Sequence, residues 1–333
     1  MTETANKIEA VPTNIITGFL GVGKTSAILH LLKSKPDNER WAILVNEFGE
    51  IGVDGSLFQG QHSEGGNVFI REVPGGCMCC AAGLPMQIAL NQLLARAKPD
   101  RLLIEPTGLG HPIEVLEVLT AEYYVNVLSI EKIITLVDAR NLADPRYTEH
   151  ATFNQQIAIA DVVVGNKQDL YQPQDRVQLE HYAKSKSQSE VEVIFTEQGR
   201  ISLTALEGAA DASVDSHHHH HHSKGAEQDS LVNAPLPESG YLKAVNQGEG
   251  FYSIGWRFDS RKIFNRQALF LFLSGVVAER VKAVFITESG IFGYNLTPDA
   301  LTEVELDDCF ESRIDIIASD ICEQWEAQLL DCL

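Results

Sequence analysis

The sequence has no long hydrophobic run. Its longest apolar stretch, residues 268–278, is broken by Ser274. That is far short of the roughly 20 residues a spanning helix needs, so no membrane span is expected. The first dozen residues carry acids and lack an apolar core segment, so no export signal is read and a cytoplasmic location is expected. Basic residues are scarce: 26 Lys and Arg stand against 46 Asp and Glu, a formal net charge of −20. A polyphosphate backbone would be repelled, which excludes a general nucleic-acid binder. Cysteines are few outside one cluster. Cys309, Cys322 and Cys332 are scattered, which gives no disulfide framework, and Cys332 lies next to last, out of register for a prenylation box. No internal repeat is present.

The charge is uneven. Residues 1–200 hold 25 acids and 17 bases, a net of −8; residues 201–250 hold 7 and 2; residues 301–333 hold 10 and 1. Only residues 251–300 are net positive, with 6 bases and 4 acids. A phosphate site is therefore expected in the first two hundred residues. The acidic C-terminal part reads as a solvated or client-facing surface.

Short Val/Ile/Leu runs alternate with helical patterns up to about residue 208. Strands are expected at 13–17, 41–45, 101–104, 133–137, 161–164 and 191–195. Helices are expected at 26–33, 86–96, 113–119, 153–160 and 177–184. This rhythm predicts an α/β fold, a mostly parallel sheet of the P-loop NTPase type with helices on both faces. Residues 208–239 lack an apolar period and read as a flexible, His-rich linker. Beyond them, strands at 251–258, 281–287, 291–296, 302–306 and 313–318, with helices at 263–274 and 320–330, predict a smaller α+β domain. The expected plan is a nucleotide domain at 1–207, a linker at 208–239 and a second domain at 240–333.

Four motifs carry chemistry. Gly18-Phe19-Leu20-Gly21-Val22-Gly23-Lys24-Thr25 fits the phosphate-loop pattern between a strand and a helix. Its backbone N–H groups can converge on phosphate, Lys24 can reach the β- and γ-phosphates, and Thr25 can bind Mg²⁺, with Ser26 following at the helix start. Asn166-Lys167-Gln168-Asp169, about 140 residues later at a strand end, is the N-K-x-D arrangement that reads guanine: the Asp169 carboxylate accepts from N–H donors that adenine lacks. Leu102-Leu103-Ile104-Glu105-Pro106-Thr107-Gly108 places Glu105 where a Walker B acid would sit and Gly108 where an N–H can sense the γ-phosphate. Lys24, Thr25 and Glu105 are the expected catalytic group.

The fourth motif is Gly75-Gly76-Cys77-Met78-Cys79-Cys80. Three thiols within four residues can converge on one borderline ion such as Zn²⁺, leaving a position for another ligand or a transfer partner. A redox pair and buried structural cysteines are the alternatives. Glu47, Glu50 and Asp54 lie between this cluster and the phosphate loop and are candidate ligands for Mg²⁺ or the transported metal. His217 to His222 form an unbroken run of six imidazoles, suited to Zn²⁺, Ni²⁺ or Co²⁺ and also the form of an inserted tag.

Together, GFLGVGKT, NEFGEIGVD, GGCMCC, IEPTGLGHP and NKQD, in this order over residues 14–169, resemble the CobW-like branch of the CobW/HypB/UreG P-loop GTPases, within it the YeiR-like zinc-binding GTPases. The resemblance implies a slow, Mg²⁺-dependent GTP hydrolase acting as a metallochaperone. It assigns Gly18, Gly21, Val22, Gly23, Lys24, Thr25, Ser26 and Gly108 to phosphate and Mg²⁺, and Asn166, Lys167 and Asp169 to guanine. Cys77, Cys79 and Cys80, with Glu50, go to Zn²⁺ or a similar ion (Co²⁺ or Ni²⁺). Expected partners are GTP, the metal, a client metalloprotein and a second copy in a nucleotide- or metal-dependent dimer. Two departures stand out. Val45 replaces an acid that some members carry before NEFGE, and Gly108-Leu109-Gly110-His111-Pro112 replaces the common G-x-A-D-P, making His111 either an extra ligand or a plain loop residue. No glutamine occupies an obvious water-positioning place. A zinc store or sensor that uses GTP only for conformation, a metal insertase for cofactor synthesis, and an ATP-dependent kinase or ligase are the competing functions.

Overall fold

A computed structural model describes residues 8–45, 67–73, 84–187, 189–211, 235–248, 250–306 and 309–333. They form two compact units, one ending at residue 211 and the other starting at 235. Among the described residues no helix is long and apolar enough to cross a membrane.

The first unit runs β1 (Val11–Gly18), α1 (Lys24–Lys33), β2 (Trp41–Val45), β3 (Val68–Glu72), α2 (Leu84–Ala97), β4 (Arg101–Glu105), α3 (Pro112–Leu119), β5 (Leu128–Ile130), β6 (Ile134–Val137), α4 (Pro145–Thr148), α5 (Ala151–Ala158), β7 (Val162–Gly165), α6 (Pro173–Lys186) and β8 (Glu192–Phe195). The strands form one parallel sheet in the order β3-β2-β4-β1-β6-β7-β8. β5 pairs with the start of β1, on the strand that pairs with β6 nearer its end. The chain moves from β1 to one side through β2, β3 and β4, then to the other through β6, β7 and β8. The strand order therefore reverses beside β1, the place where open α/β sheets bind ligands at their carboxyl ends.

Both faces are covered. Successive strand residues point to opposite faces, yet Ile43 and Leu44, and Leu102 and Leu103, are all buried. Ala42, Leu44, Leu102 and Ile104 pack with Met86, Leu90 and Leu93 of α2 and Val115 and Leu116 of α3. Two-sided burial is why these strands read as unbroken apolar runs. β1 also buries polar side chains, Thr13, Asn14 and Thr17; of these Asn14 reaches furthest, its amide donating to Lys132 O and Leu206 O and its Oδ1 accepting from Arg101. This pins a 3₁₀ turn, Leu203–Leu206, to the central strand. The chain stays hydrogen-bonded to this unit beyond the turn, through Gly208 N to Glu131 and Asp211 N to Asp161.

The second unit runs β9 (Tyr241–Gly248), β10 (Phe251–Phe258), α7 (Arg266–Gly275), β11 (Arg280–Thr287), β12 (Gly290–Leu296), β13 (Leu301–Leu306), β14 (Ser312–Ala318) and α8 (Trp325–Leu330). Its six strands pair antiparallel in the order β13-β12-β11-β14-β10-β9. One face is apolar: Trp256, Phe258, Phe285, Tyr294 and Ile316 pack under Leu269 and Leu273 of α7 and Trp325 and Leu329 of α8. The opposite alternation carries Ser253, Arg257, Arg280, Lys282 and Asp315, all buried. Asp315 accepts from Ser253 Oγ at 2.7 Å and lies 3.9 Å from Arg280, while Glu311 binds Arg257 and Arg313.

The α/β class with a separate α+β unit matches the sequence expectation. β3, β5 and β9 were not anticipated; each is short or lies at a sheet edge. The helix expected over 320–330 occupies only Trp325–Leu330.

Candidate functional site

The phosphate loop leaves β1 at its carboxyl end. Gly18 has φ +141°, and a Cβ there would lie 2.4 Å from Leu136 O of β6. Gly23, with φ +98°, caps α1, and a Cβ there would lie 2.5 Å from the Asn166 amide nitrogen. Only glycine fits both the backbone conformation and the space at these positions. Phe19 anchors the loop from outside, its ring edge-on to Tyr147, His150 and Phe153 at centroid separations of 5.3, 4.9 and 5.9 Å. Lys24 is buried, and its ammonium donates to Gly18 O at 2.8 Å and Phe19 O at 3.1 Å. The loop thus folds over its own lysine, ahead of a ten-residue helix whose first N–H groups face the same space. Ser26 lies exposed in the first turn of α1.

β4 pairs directly with β1 and ends at Glu105, which is buried. Thr25 Oγ1 donates to Glu105 Oε1 at 3.2 Å. This joins the phosphate-loop hydroxyl to the strand-end acid: two oxygen donors of the kind that suit a hard divalent cation. The chain then turns through Gly108, whose Cβ position would be 3.0 Å from Leu20 N and 3.1 Å from Lys24 Nζ. Gly108 O accepts from the buried Gln156 amide at 3.0 Å. His111 is half-buried, with Nδ1 3.2 Å from Gln155 Oε1. Glu114, one turn into α3, is held above the ordinary carboxyl range by burial, partly offset by His111.

The N-K-Q-D segment follows β7. Asn166 is buried and serves the scaffold: its amide donates to Val22 O at 2.8 Å, and its Oδ1 accepts from Gly199 N at 3.0 Å. It therefore fastens the phosphate loop to the 197–200 turn. Lys167 takes a left-handed φ of +61° and brings its ammonium to 3.6 Å from Asp138. Asp169 is exposed at the start of α6's approach, in a 3₁₀ turn Gln168–Leu170. Asp138, just past β6, was not singled out from sequence. It is buried, caps the next turn and pairs with Arg140. Tyr171 is a second residue the sequence reading missed. Its hydroxyl accepts from Ala139 N and donates to Asn166 O, tying the two loops together, and burial drives its pKa upward. An acid directly after the strand at 133–137 was the one available signal for Asp138.

The structure thus brings Gly18, Gly21, Val22, Gly23, Lys24, Thr25, Glu105, Gly108, Asn166, Lys167 and Asp169 to the carboxyl ends of the central strands. Cys77, Cys79, Cys80, Glu47, Glu50, Asp54 and His217 to His222 lie outside the described residues. Among the described residues no three metal-type side chains cluster.

Residues 12–197 match the profile of the CobW/HypB/UreG nucleotide-binding domain. The whole chain is similar to the zinc chaperone YeiR of Escherichia coli K12, 38% identical over 324 residues, spanning 95% of each protein. It is 28% identical over 226 residues to the zinc chaperone CobW of Pseudomonas aeruginosa, spanning 60% of each. Among solved structures, the Zn(II)-bound YjiA GTPase from E. coli aligns with 97% of this chain and 99% of its own, with a TM-score of 0.44 and 17% identity.

Proposed function

This chain belongs to the CobW/HypB/UreG family, and on that premise we propose that it is a cytoplasmic GTP-driven zinc chaperone, in which a nucleotide domain at 1–207 and a second domain at 240–333 flank the His-rich linker at 208–239. The observation that carries the nucleotide half is the contact between Thr25 and Glu105 beside a buried Lys24, at the point where the strand order reverses. The metal half is supported by similarity to a zinc chaperone along nearly the whole chain and by three thiols placed, in sequence, between the phosphate loop and Glu105.

In this reading Lys24 exchanges its two loop carbonyls for the β- and γ-phosphates. Gly21, Val22, Gly23 and Ser26 offer backbone N–H groups to the anion. Thr25 and Glu105 fit Mg²⁺, directly or through its waters, and the ion would neutralise charge on the phosphates. Gly108 N–H senses the γ-phosphate. Asp169 accepts from the guanine N–H donors, and Lys167, steadied by Asp138, lines the base site. Water attacks the γ-phosphorus, the bond to the β–γ bridging oxygen breaks, and GDP and phosphate leave. Turnover is slow without a partner. Cys77, Cys79 and Cys80, with Glu50, hold Zn²⁺ as cargo, and nucleotide state sets its affinity. The coupling is reciprocal, so metal also shifts GTP affinity. The client is a metalloprotein, met by the monomer or by a nucleotide- or metal-dependent dimer.

The test is zinc competition on the purified protein with GDP and with a non-hydrolysable GTP analogue, alongside Cys79→Ala. Zinc affinity should differ between the two nucleotides and fall sharply in the variant. Equal affinities with both nucleotides would end the coupling idea. Tight binding retained by Cys79→Ala would move the site to His217 to His222. That run of six histidines favours a second reading, a zinc store that uses GTP only for conformation; GTP turnover that a client accelerates argues against it.

A further inference from the structure

We propose that Gln156 is the positioning residue for the Gly108 loop, and that helix α5 is the element through which this loop and the phosphate loop sense each other. The inference rests on Gly108 acting as the γ-phosphate sensor.

The eight-residue helix α5 touches both loops. At its start, His150 and Phe153 hold the Phe19 ring. At its middle, two successive glutamines hold opposite ends of the other loop: Gln156 donates to Gly108 O, and Gln155 meets His111. A carbonyl only accepts, so the nitrogen of the Gln156 amide must face Gly108. The helix is itself fixed to the sheet, since Thr135 Oγ1 donates to Gln156 O at 2.6 Å. Thr135 is in register with Thr17, the residue before the first loop glycine, so both side chains face α5.

Packing alone does not explain this amide. Gln156 is 1% exposed, and its Oε1 has no hydrogen-bond partner among the described residues; nor has Thr17 Oγ1 on the same face. A methionine or leucine would fill the space without leaving a buried acceptor unpaired, and folds rarely keep such groups without a use. The use available here is the Gly108 carbonyl. Gly108 lies against Leu20 N and Lys24 Nζ, and its N–H and its carbonyl sit in neighbouring peptides joined at its Cα, so anchoring the carbonyl limits how far the residue can turn its N–H away from the phosphate space. Holding that carbonyl from behind restricts the turn at Gly108 before nucleotide arrives.

Gln156→Met keeps length and burial and removes the amide. The reading is the ratio of affinities for a non-hydrolysable GTP analogue and for GDP, both with Mg²⁺, together with kcat and KM for GTP. The ratio should fall about three- to tenfold, the worth of one buried hydrogen bond, with GDP affinity within about twofold of wild type and KM for GTP rising in step with the lost affinity, since KM follows affinity when turnover is slow. Should Gln156→Met not fold, Gln156→Asn, which retracts the amide by one methylene, carries the same expectation. A wild-type ratio above one that the variant preserves, or equal weakening of both nucleotides, overturns the inference. A wild-type ratio of one overturns the sensor reading of Gly108 and the inference with it.

Discussion

The two units handle charge in opposite ways. In the first, the central strands bury no charge between their ends, and Glu105, Asp138, Lys24, Lys167 and Asp169 stand at or beyond the strand ends. In the second, Arg257, Arg280, Lys282 and Asp315 lie within the strands, on one face of the sheet, and are buried there. A charge at a strand end is held by a loop and can be turned toward a ligand. A charge inside a ladder is held by its neighbours on both sides and is part of the fold. The first arrangement serves chemistry, and the second makes structural integrity depend on ion pairing.

Substitution should separate the two. The largest effect is expected for Asp315→Ala. It leaves Arg280 without its buried counter-charge and should lower the unfolding free energy by about 3–5 kcal/mol, read by chemical denaturation of the full chain, while nucleotide affinity per folded molecule is kept. Asp169→Asn should do the reverse. GTP affinity should drop roughly a hundredfold and preference shift to xanthosine nucleotides, with the unfolding midpoint unchanged, because the exposed carboxylate supports no packing. If that variant instead unfolds early, the contrast between the units fails. The smallest effect is expected at Asp259, a surface residue of the second unit. Hydrogen bonds from the Arg261 side chain and backbone lower its pKa from 3.8 to about 2. A folded pKa below the unfolded one adds stability that is present above the ordinary value and lost as pH falls toward about 2. The stability gap between wild type and Asp259→Asn should therefore be small at neutral pH and close over that acid range.

The central strands were legible because two-sided burial writes an apolar run into the sequence. β3, β5 and β9 were not. Val68–Glu72 is half-buried throughout, Leu128–Ile130 is three residues long, and Tyr241–Gly248 is an edge strand of mixed polarity. None carries a clear period. Lys24, Thr25, Glu105 and Asp169 could be found by motif because their spacing is set by the ligand they are read to serve. Asn166 was found for one reason and has another: its amide is committed to Val22 and Gly199, a use that spacing cannot reveal. Tyr171 and Gln156 were invisible because their roles exist only once β6, β7 and α5 lie side by side, and Asp138 left only the signal of an acid after a strand.

The packing of Asn166 into the space above Gly23 has a consequence for inheritance. A side chain at position 23 would need the asparagine gone, and losing the asparagine would free two loops that it holds together. Position 23 cannot gain a side chain while the asparagine stays. Two motifs usually read as separate signatures, one for phosphate and one for base, are therefore tied in one direction: a lineage that replaces the glycine must first give up the asparagine.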